Sequence, residues 1–171
     1  SQFNNPFDIT SNLDGTNGFE LIGGGSWFGT SVASVGDING DGTDDIIIGT
    51  VCSSSAYASL RCVSTVFVVY GSRSPFQTPF NVDKLNGANG FKITSTSPNF
   101  GSSLASAGDF NGDGIQDMII GAQCDHKECQ NVAYVIFGRT SSFQHPFTVD
   151  SRLNGTNGFK IVSETLGFGT S

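Results

Sequence analysis

The sequence is poor in three features that mark other classes of protein. Lys and Arg number only 8 against 15 Asp and Glu, so the chain lacks the basic surface that nucleic-acid binding requires. No apolar run approaches the ~20 residues that cross a bilayer. No window repeats apolar residues at the spacing of an amphipathic helix. These absences argue against a nucleic-acid partner, a membrane span within this segment and a helical fold.

Glycine and phenylalanine are abundant, and the acidic charge is concentrated. The 23 Gly and 15 Phe residues among 171 favour short strands joined by tight turns. The formal net charge is -7, yet the acids outside two short segments are matched in number by Lys and Arg. Such acidic segments attract cations. Their carboxylates are Asp37, Asp41, Asp44, Asp45, Asp109, Asp113 and Asp117.

The chain repeats itself. The segment FGTSVASVGD, residues 28–37, recurs as FGSSLASAGD, residues 100–109, and begins again at Phe168. Asn-Gly-Phe triplets and Pro-Phe pairs recur in the same order. Three landmarks in one order indicate an internal repeat rather than chance similarity. We expect repeat units at about 1–73, 74–141 and 142–171, the last of them partial.

Each unit predicts four short strands bounded by Gly, Asn and Asp turns, and the second of them is expected at about Ser31–Val35 and about Ser103–Ala107. Two strands of the first unit, Ile46–Ile48 and Val66–Tyr70, are apolar at every position, so both faces of their sheet must be covered. Four-stranded antiparallel sheets stacked face to face around an axis satisfy this need, and that arrangement is a β-propeller. The predicted fold is therefore all-β, with about two blades of a partial propeller plus extra strands.

The number of units raises the question of ring closure. Propellers close with about 4–8 blades, so we expect further blades from the same longer chain or from other copies, or another protein partner. The first residues are polar and carry no signal peptide, as in a mature portion or a fragment. The boundaries of the sequence repeats need not coincide with the boundaries of the structural blades. The strand Phe159–Val162 could complete the second sheet, and Phe19–Ile22 would then belong to a preceding blade.

Two equivalent turns, DINGDGTDD at residues 37–45 and DFNGDGIQD at residues 109–117, carry oxygen donors at alternate positions. Calcium takes six to eight oxygen ligands at about 2.3–2.6 Å, and Gly at positions 4 and 6 lets the backbone curl around one point. Thr43 and Ile115 would contribute backbone carbonyls. The turns predict two Ca²⁺ sites, with the ligands Asp37, Asn39, Asp41, Thr43 and Asp45, and Asp109, Asn111, Asp113, Ile115 and Asp117.

Other interpretations of these turns fit less well. The first nine positions match an EF-hand loop, but position 12 is Ile48 or Ile120 instead of the required Glu, so the turn leads into a strand. A metal-free Asn-Gly or Asp-Gly turn is the plainer alternative. However, two like charges about 5 Å apart repel by roughly 3 kcal/mol at an effective dielectric of about 20. Magnesium is disfavoured because it requires near-octahedral geometry and retains its waters.

Four cysteines recur between the third and fourth strands of the two units: Cys52, Cys62, Cys124 and Cys129. Pairing within each connection is the simplest of three connectivities, and it predicts an oxidising compartment, hence an extracellular or cell-surface location. The rival is a metal site built from the second pair and His126, but the first unit has no matching His and the spacing fits no common zinc pattern. Asn154-Gly-Thr is a possible N-glycosylation site.

These residues strongly resemble FG-GAP repeats, as found in the integrin α-subunit propeller and in related proteins of bacteria and protists. The resemblance lies in the Phe-Gly pairs at 28–29 and 100–101, the two acidic turns, and the pairs at 49–50 and 121–122. It implies a seven-bladed propeller with calcium in loops on one face, used for adhesion or assembly. Thr50 and Gln123 depart from the Gly-Ala-Pro that names the repeat, and the insertion between Cys52 and Cys62 is unusual.

Three functions are compatible with these features. The leading one is a non-catalytic extracellular adhesion or scaffold module, stiffened by calcium. The others are an accessory propeller of a secreted hydrolase or lyase, and a filament that assembles through unpaired blade edges. We expect no enzyme activity, because His126 and His145 lie in polar loops without evident partners and no nucleophile motif is present.

Overall fold

The structure, a computed structural model, describes residues 13–25, 27–51, 64–123 and 130–163. Within these ranges nearly all of the regular secondary structure is β-strand, and no helix there is long and apolar enough to span a bilayer. A 3-10 turn lies at Val82–Lys84 and a four-residue helix, α1, at Val149–Arg152. The strands are β1 (Leu21–Ile22), β2 (Phe28–Gly36), β3 (Asp45–Thr50), β4 (Thr65–Val69), β5 (Phe80–Asn81), β6 (Gly90–Thr94), β7 (Phe100–Gly108), β8 (Asp117–Ala122), β9 (Asn131–Ile136), β10 (Phe147–Thr148) and β11 (Gly158–Ser163).

Two sheets carry the fold, and each is built from four antiparallel strands. The first has the order β2-β3-β4-β6, with β10 added in parallel beside β6, and the second has the order β7-β8-β9-β11. The fourth strand of each sheet, β6 or β11, therefore comes from the following repeat unit, as expected if repeat and blade boundaries differ. The all-β prediction with four-stranded antiparallel blades is confirmed.

The strands β2 and β7, each at one edge of its sheet, begin earlier than the sequence predicts. Gly29 and Gly101 both have φ of +83°, a conformation that usually ends a strand. Here each glycine lies in a bulge, where the pairing shifts register between Phe28 and Ser31 and between Phe100 and Ser103. A bulge adds residues to one strand without ending it, so β2 and β7 extend three residues further than expected.

The main core lies between the two sheets, which approach closely at two glycines. A Cβ atom on Gly49 would lie 2.6 Å from the carbonyl oxygen of Gly101, and one on Gly101 would lie 2.7 Å from Val66. Ser31 Oγ donates a hydrogen bond of 2.5 Å to the same Gly101 carbonyl. Core side chains come from both sheets: Val35, Ile47, Val68, Phe91, Ile93, Phe100, Met118, Ile120, Tyr134 and Ile136.

The connections between blades follow one repeated pattern. Phe76 stacks on Phe19 with ring centroids 4.1 Å apart, and Phe143 stacks on Phe91 at 4.3 Å. In each case a ring from the connection after the third strand of a sheet, β4 or β9, stacks on a ring in or just before the strand that follows an Asn-Gly turn, β1 or β6. The short parallel pairs β1–β5 and β10–β6 continue the same contact. Successive units thus contact each other at corresponding places.

Candidate functional site

The two acidic turns join the first and second strands of the two sheets, β2 to β3 and β7 to β8. Gly40 and Gly42 have φ of +74° and +85°, and Gly112 and Gly114 have φ of +78° and +89°. Residues with side chains rarely adopt this left-handed conformation. Because two residues in each turn adopt it, successive backbone N–H groups point toward the interior of the turn, where the first Asp lies.

In the first turn, the Asp37 carboxylate organises the backbone. Its Oδ1 accepts hydrogen bonds from the N–H groups of Gly40 at 2.7 Å and Asp41 at 3.0 Å, and its Oδ2 accepts from Gly42 at 2.7 Å. Asn39 Oδ1 also accepts from the Asp41 N–H at 2.9 Å, and Asn39 Nδ2 donates to Asp41 Oδ2 at 2.9 Å. The predicted ligands at positions 1, 3 and 5 therefore belong to one hydrogen-bonded unit.

Asp41 is the most exposed of these ligands. Its Oδ1 accepts hydrogen bonds from the backbone N–H of Thr43 at 2.9 Å and from the Thr43 hydroxyl. The Thr43 hydroxyl bond is the main reason that the pKa of Asp41 is lowered, and Arg73 contributes a smaller electrostatic effect in the same direction. Asp41 is therefore ionised at neutral pH and presents its charge to solvent.

Asp45 lies at the base of the first turn and is fully buried. Its oxygens accept hydrogen bonds from the N–H groups of Ile38 at 3.0 Å and Gly71 at 2.8 Å. Burial raises the pKa of Asp45 to about 6, the two N–H bonds oppose that rise, and the charges of Asp41 and Asp37 add to it. A positive ion in this turn would offset the cost of burying the charged Asp45 carboxylate and its repulsion by Asp41 and Asp37.

The second turn repeats these contacts. Asp109 accepts hydrogen bonds from the backbone N–H groups of Gly112, Asp113 and Gly114 at 2.9, 2.9 and 2.8 Å. Asp113 in turn accepts from the N–H of Ile115 at 2.9 Å, as Asp41 does from Thr43. The replacement of Thr43 by Ile115 leaves the backbone arrangement unchanged.

The base of the second turn is also the same as that of the first. Asp117 is fully buried and accepts hydrogen bonds of 2.8 Å from the N–H groups of both Phe110 and Gly138. Asn111 keeps its position as well, since its Oδ1 accepts from Asp113 N–H at 3.0 Å. Two turns more than sixty residues apart in sequence have thus adopted one geometry.

The donor set of each turn suits a hard cation. Every predicted ligand atom is an oxygen, and a carboxylate oxygen that accepts one N–H bond retains a second lone pair. Among the described residues the one ion pair joins Lys92 to Asp83 at 3.4 Å, so no described Lys or Arg forms an ion pair with a turn carboxylate. Yet in the same ranges no three Asp, Glu, His or Cys side chains come together as a metal cluster. The carboxylates lie against backbone N–H groups, as they also would in a metal-free turn.

The first turn also contacts the neighbouring sheet. The Asp37 carbonyl accepts a hydrogen bond from the Gln116 N–H at 3.3 Å, and the Ile38 carbonyl accepts one from Arg139 at 2.9 Å. The Ile38 side chain is fully buried, whereas Phe110 at the corresponding position of the second turn is 61% exposed. The first turn therefore belongs to the contact between the two sheets at Asp37, Ile38, Gln116 and Arg139, which we call the joint.

Several predicted residues have other outcomes. The four cysteines, and His126 of the rival zinc site, lie outside the described residues. Asn154 is exposed, and its Oδ1 accepts hydrogen bonds from the Thr156 N–H at 3.0 Å and hydroxyl at 2.8 Å. His145 is engaged through Nδ1, which accepts from the Lys92 N–H at 3.2 Å.

Asp150 is a site that sequence reasoning missed. Its carboxylate accepts hydrogen bonds from Thr96 N–H at 2.6 Å and from the hydroxyls of Ser95 and Tyr134, both at 3.1 Å. It thereby ties α1 to the end of β6. The available signal was the Val-Asp pair that recurs at residues 82–83 and 149–150, shortly after a Pro-Phe, since Asp83 in the preceding unit accepts from Gly24 N–H at 3.3 Å.

Comparison with known proteins identifies the repeat. The FG-GAP repeat family matches residues 28–50 and 100–123, the segments that contain the two turns. Integrin alpha-2 of Mus musculus is 33% identical over 99 residues, which cover 58% of this chain and 8% of that protein. Integrin alpha pat-2 of Caenorhabditis elegans is 35% identical over 125 residues, covering 67% and 9%. Integrin alpha-4 of Xenopus laevis is 27% identical over 145 residues, covering 83% and 13%. The chain thus spans a small part of the relatives it matches.

Proposed function

This chain contains FG-GAP repeats, and from that premise we propose that it is a calcium-stabilised β-propeller segment that acts outside the cell as a non-catalytic adhesion or scaffold module. The observation that carries the proposal is the position of the first turn. Asp37, Asn39 and Asp41 form one hydrogen-bonded unit, and the backbone of the turn contacts the second sheet through Gln116 and Arg139. A cation bound there would stiffen both the turn and the joint.

Two calcium ions are proposed, one in each turn. Bound calcium supplies positive charge that neutralises the carboxylates and holds the turn in one shape. The protein contributes buried Asp45 and Asp117 at the bases of the turns and exposed Asp41 and Asp113 at their tips. The proposed ligands are Asp37, Asn39, Asp41, Asp45 and the carbonyl of Thr43, and Asp109, Asn111, Asp113, Asp117 and the carbonyl of Ile115.

The proposed partners are further blades or another protein. The support is the difference between the two turns, because Ile38 is covered by the second sheet while Phe110 is 61% exposed. Ile161 on β11, at the place that Ile93 occupies in the first sheet, is 41% exposed. Another blade of the same longer chain would cover this face. A second copy would cover it in the alternative of a self-assembling filament.

An extracellular or cell-surface location follows from the same proposal. The relatives are integrin alpha chains, and the two recurring pairs of cysteines would form disulfides in an oxidising compartment. Asn154 is exposed beside Thr156, as an N-glycosylation acceptor requires. These features support the location. Peptide mapping of the secreted protein under non-reducing conditions would test the disulfides and the glycan.

The experiment that tests the calcium proposal is thermal unfolding in excess calcium and in EDTA. An ion at about 100 times its Kd stabilises a folded chain by about 2.7 kcal/mol, so EDTA is expected to lower the Tm by several degrees. Asp41→Ala combined with Asp113→Ala should abolish the difference. Asp41→Ala alone should remove more of it than Asp113→Ala, because the first turn lies in the joint. Identical melting curves for the wild type in the two buffers would contradict the proposal.

A further inference from the structure

An open cleft of about 410 Å³ is lined by residues of the connection between β9 and β11. Among the described residues that line it there is no Asp or Glu. In a chain of net charge -7, this is a local reversal of sign. The lining combines two arginines with amide and hydroxyl side chains: Arg139, Arg152, Ser141, Gln144, Asn154 and Asn157.

Arg139 is held in position by aromatic rings and has no ion-pair partner among the described residues. Its guanidinium carbon lies 4.1 Å from the ring centre of Phe143 and 5.7 Å from that of Phe147. Its Nε atom is buried without a hydrogen-bond partner, and the one ion pair of the described ranges involves other residues. Burial lowers the pKa of Arg139. A partly desolvated cation of this kind is costly unless an anion accompanies it.

Packing between the units does not account for Arg139. The residue that follows the corresponding glycine in the first unit is Ser72, since Gly71 and Gly138 hold equivalent positions after β4 and β9. The equivalent aromatic stack, Phe76 on Phe19, forms at 4.1 Å without an arginine over it. In the first unit an arginine, Arg73, lies one residue further along and lines a cleft with Phe19 and Phe76, so what distinguishes the second unit is the position of Arg139 over its aromatic rings.

We propose that this cleft binds an acidic sugar, with the oxyanion held by Arg139 and Arg152. A guanidinium donates two parallel N–H groups to a carboxylate or sulfate, and the aromatic faces fix the orientation of Arg139 in advance. The amide and hydroxyl side chains of the lining match the hydroxyl groups of a saccharide. The cleft volume lies within the range of about 300–1,000 Å³ that small-ligand sites occupy.

The test is titration of the calcium-loaded full chain with glucuronate, with glucose as the neutral control and inorganic sulfate as the bare oxyanion. The protein is produced without N-glycans, because Asn154 lines the same cleft. Binding is followed by calorimetry and by the NMR signal of the Arg139 Nε–H, which is assigned by its loss in Arg139→Gln. The second variant is Arg152→Gln on the exposed end of α1, where folding is not at risk.

Glucuronate is expected to bind saturably and to shift the Arg139 signal, while glucose does neither. Each arginine variant should weaken binding about tenfold, which corresponds to roughly 1.4 kcal/mol. The matched control is Lys84→Gln, which removes the basic residue that ends the equivalent turn of the preceding unit and should leave affinity unchanged. Absence of saturable binding, or equal affinity in the arginine variants, would overturn the site. Sulfate binding as tight as that of glucuronate would overturn the assignment to a sugar.

Discussion

The carboxylate of Asp117 accepts a hydrogen bond of 2.8 Å from the backbone N–H of Gly138. The bond joins the base of the second acidic turn to the segment that leaves β9. Asp45 makes the equivalent bond to Gly71, also at 2.8 Å. The last acidic residue of each turn therefore has a structural role that does not depend on a metal ion, whereas Asp41 and Asp113 make their bonds within their own turns.

Variants at the two kinds of position should respond differently to calcium removal. Asp117→Ala leaves buried N–H groups without acceptors, at a cost of about 1–3 kcal/mol each, so it should lower the free energy of unfolding in EDTA as well as in calcium. Asp113→Ala should lower it in calcium alone. Denaturant unfolding in the two buffers measures both effects. Equal losses for the two variants in EDTA would contradict this division of roles.

The contrast between Ile38 and Phe110 predicts unequal losses of stability. Ile38→Ala removes a fully buried side chain from the joint between the sheets and should cost about 2–4 kcal/mol. Phe110→Ala, at the matching position of the second turn, should change the free energy of unfolding by less than about 0.5 kcal/mol, because the ring is 61% exposed. Chemical denaturation of both variants under one condition provides the comparison. A large loss for Phe110→Ala would indicate that this face is already covered in solution.

Asp150 and Asp83 form a second matched pair. Asp150→Ala removes the acceptor shared by Thr96, Ser95 and Tyr134, and we expect a loss of about 1–3 kcal/mol. Asp83 makes longer bonds, and its ion pair with Lys92 is partly exposed, so Asp83→Ala should cost less than about 1 kcal/mol. Both are measured by denaturant unfolding at neutral pH. A larger loss for Asp83→Ala than for Asp150→Ala would show that Asp150 is not the main stabilising contact of this connection.

The Tyr134 hydroxyl predicts a pH dependence on the alkaline side. Burial raises the pKa of Tyr134, and the Asp150 charge acts in the same direction against the hydrogen bonds of Ser95 and Ser97. A raised folded pKa contributes stability that is fully present below the unfolded value of about 10 and is lost as pH rises through the folded pKa. The wild type should therefore lose stability more steeply above pH ~10 than Tyr134→Phe does. Parallel stability curves for the two proteins would rule out this contribution.

Local patterns were sufficient to predict the strands of the sheets. The run Ile46–Ile48 is apolar at each position, and it lies in β3 between two other strands of its sheet, with Ile47 and Ile48 buried. The repeat likewise predicted that Phe159–Val162 would complete the second sheet, where β11 now pairs with β9. Both inferences needed only residue type and spacing, which is why they could be made from one sequence.

Contacts between distant segments could not be predicted in this way. The two-residue strands β5 and β10 pair in parallel with β1 and β6, and they are too short to leave a periodic signal. Asp150 meets Thr96 across 54 residues, and no spacing rule connects them. For the acidic turns, sequence predicted the oxygen donors but not that each carboxylate would accept N–H bonds from its own turn. That orientation depends on backbone angles which glycine permits but does not specify.

The most direct measurement is a crystal structure of the chain grown in excess calcium, with anomalous scattering used to identify the ion. We predict a peak in each acidic turn, at about 2.3–2.6 Å from the oxygens of Asp37, Asp41 and Asp45 and of their counterparts in the second turn. The contrary result is water in both turns, with the carboxylates still bonded to the backbone N–H groups, and it would show that these turns hold their shape without a metal.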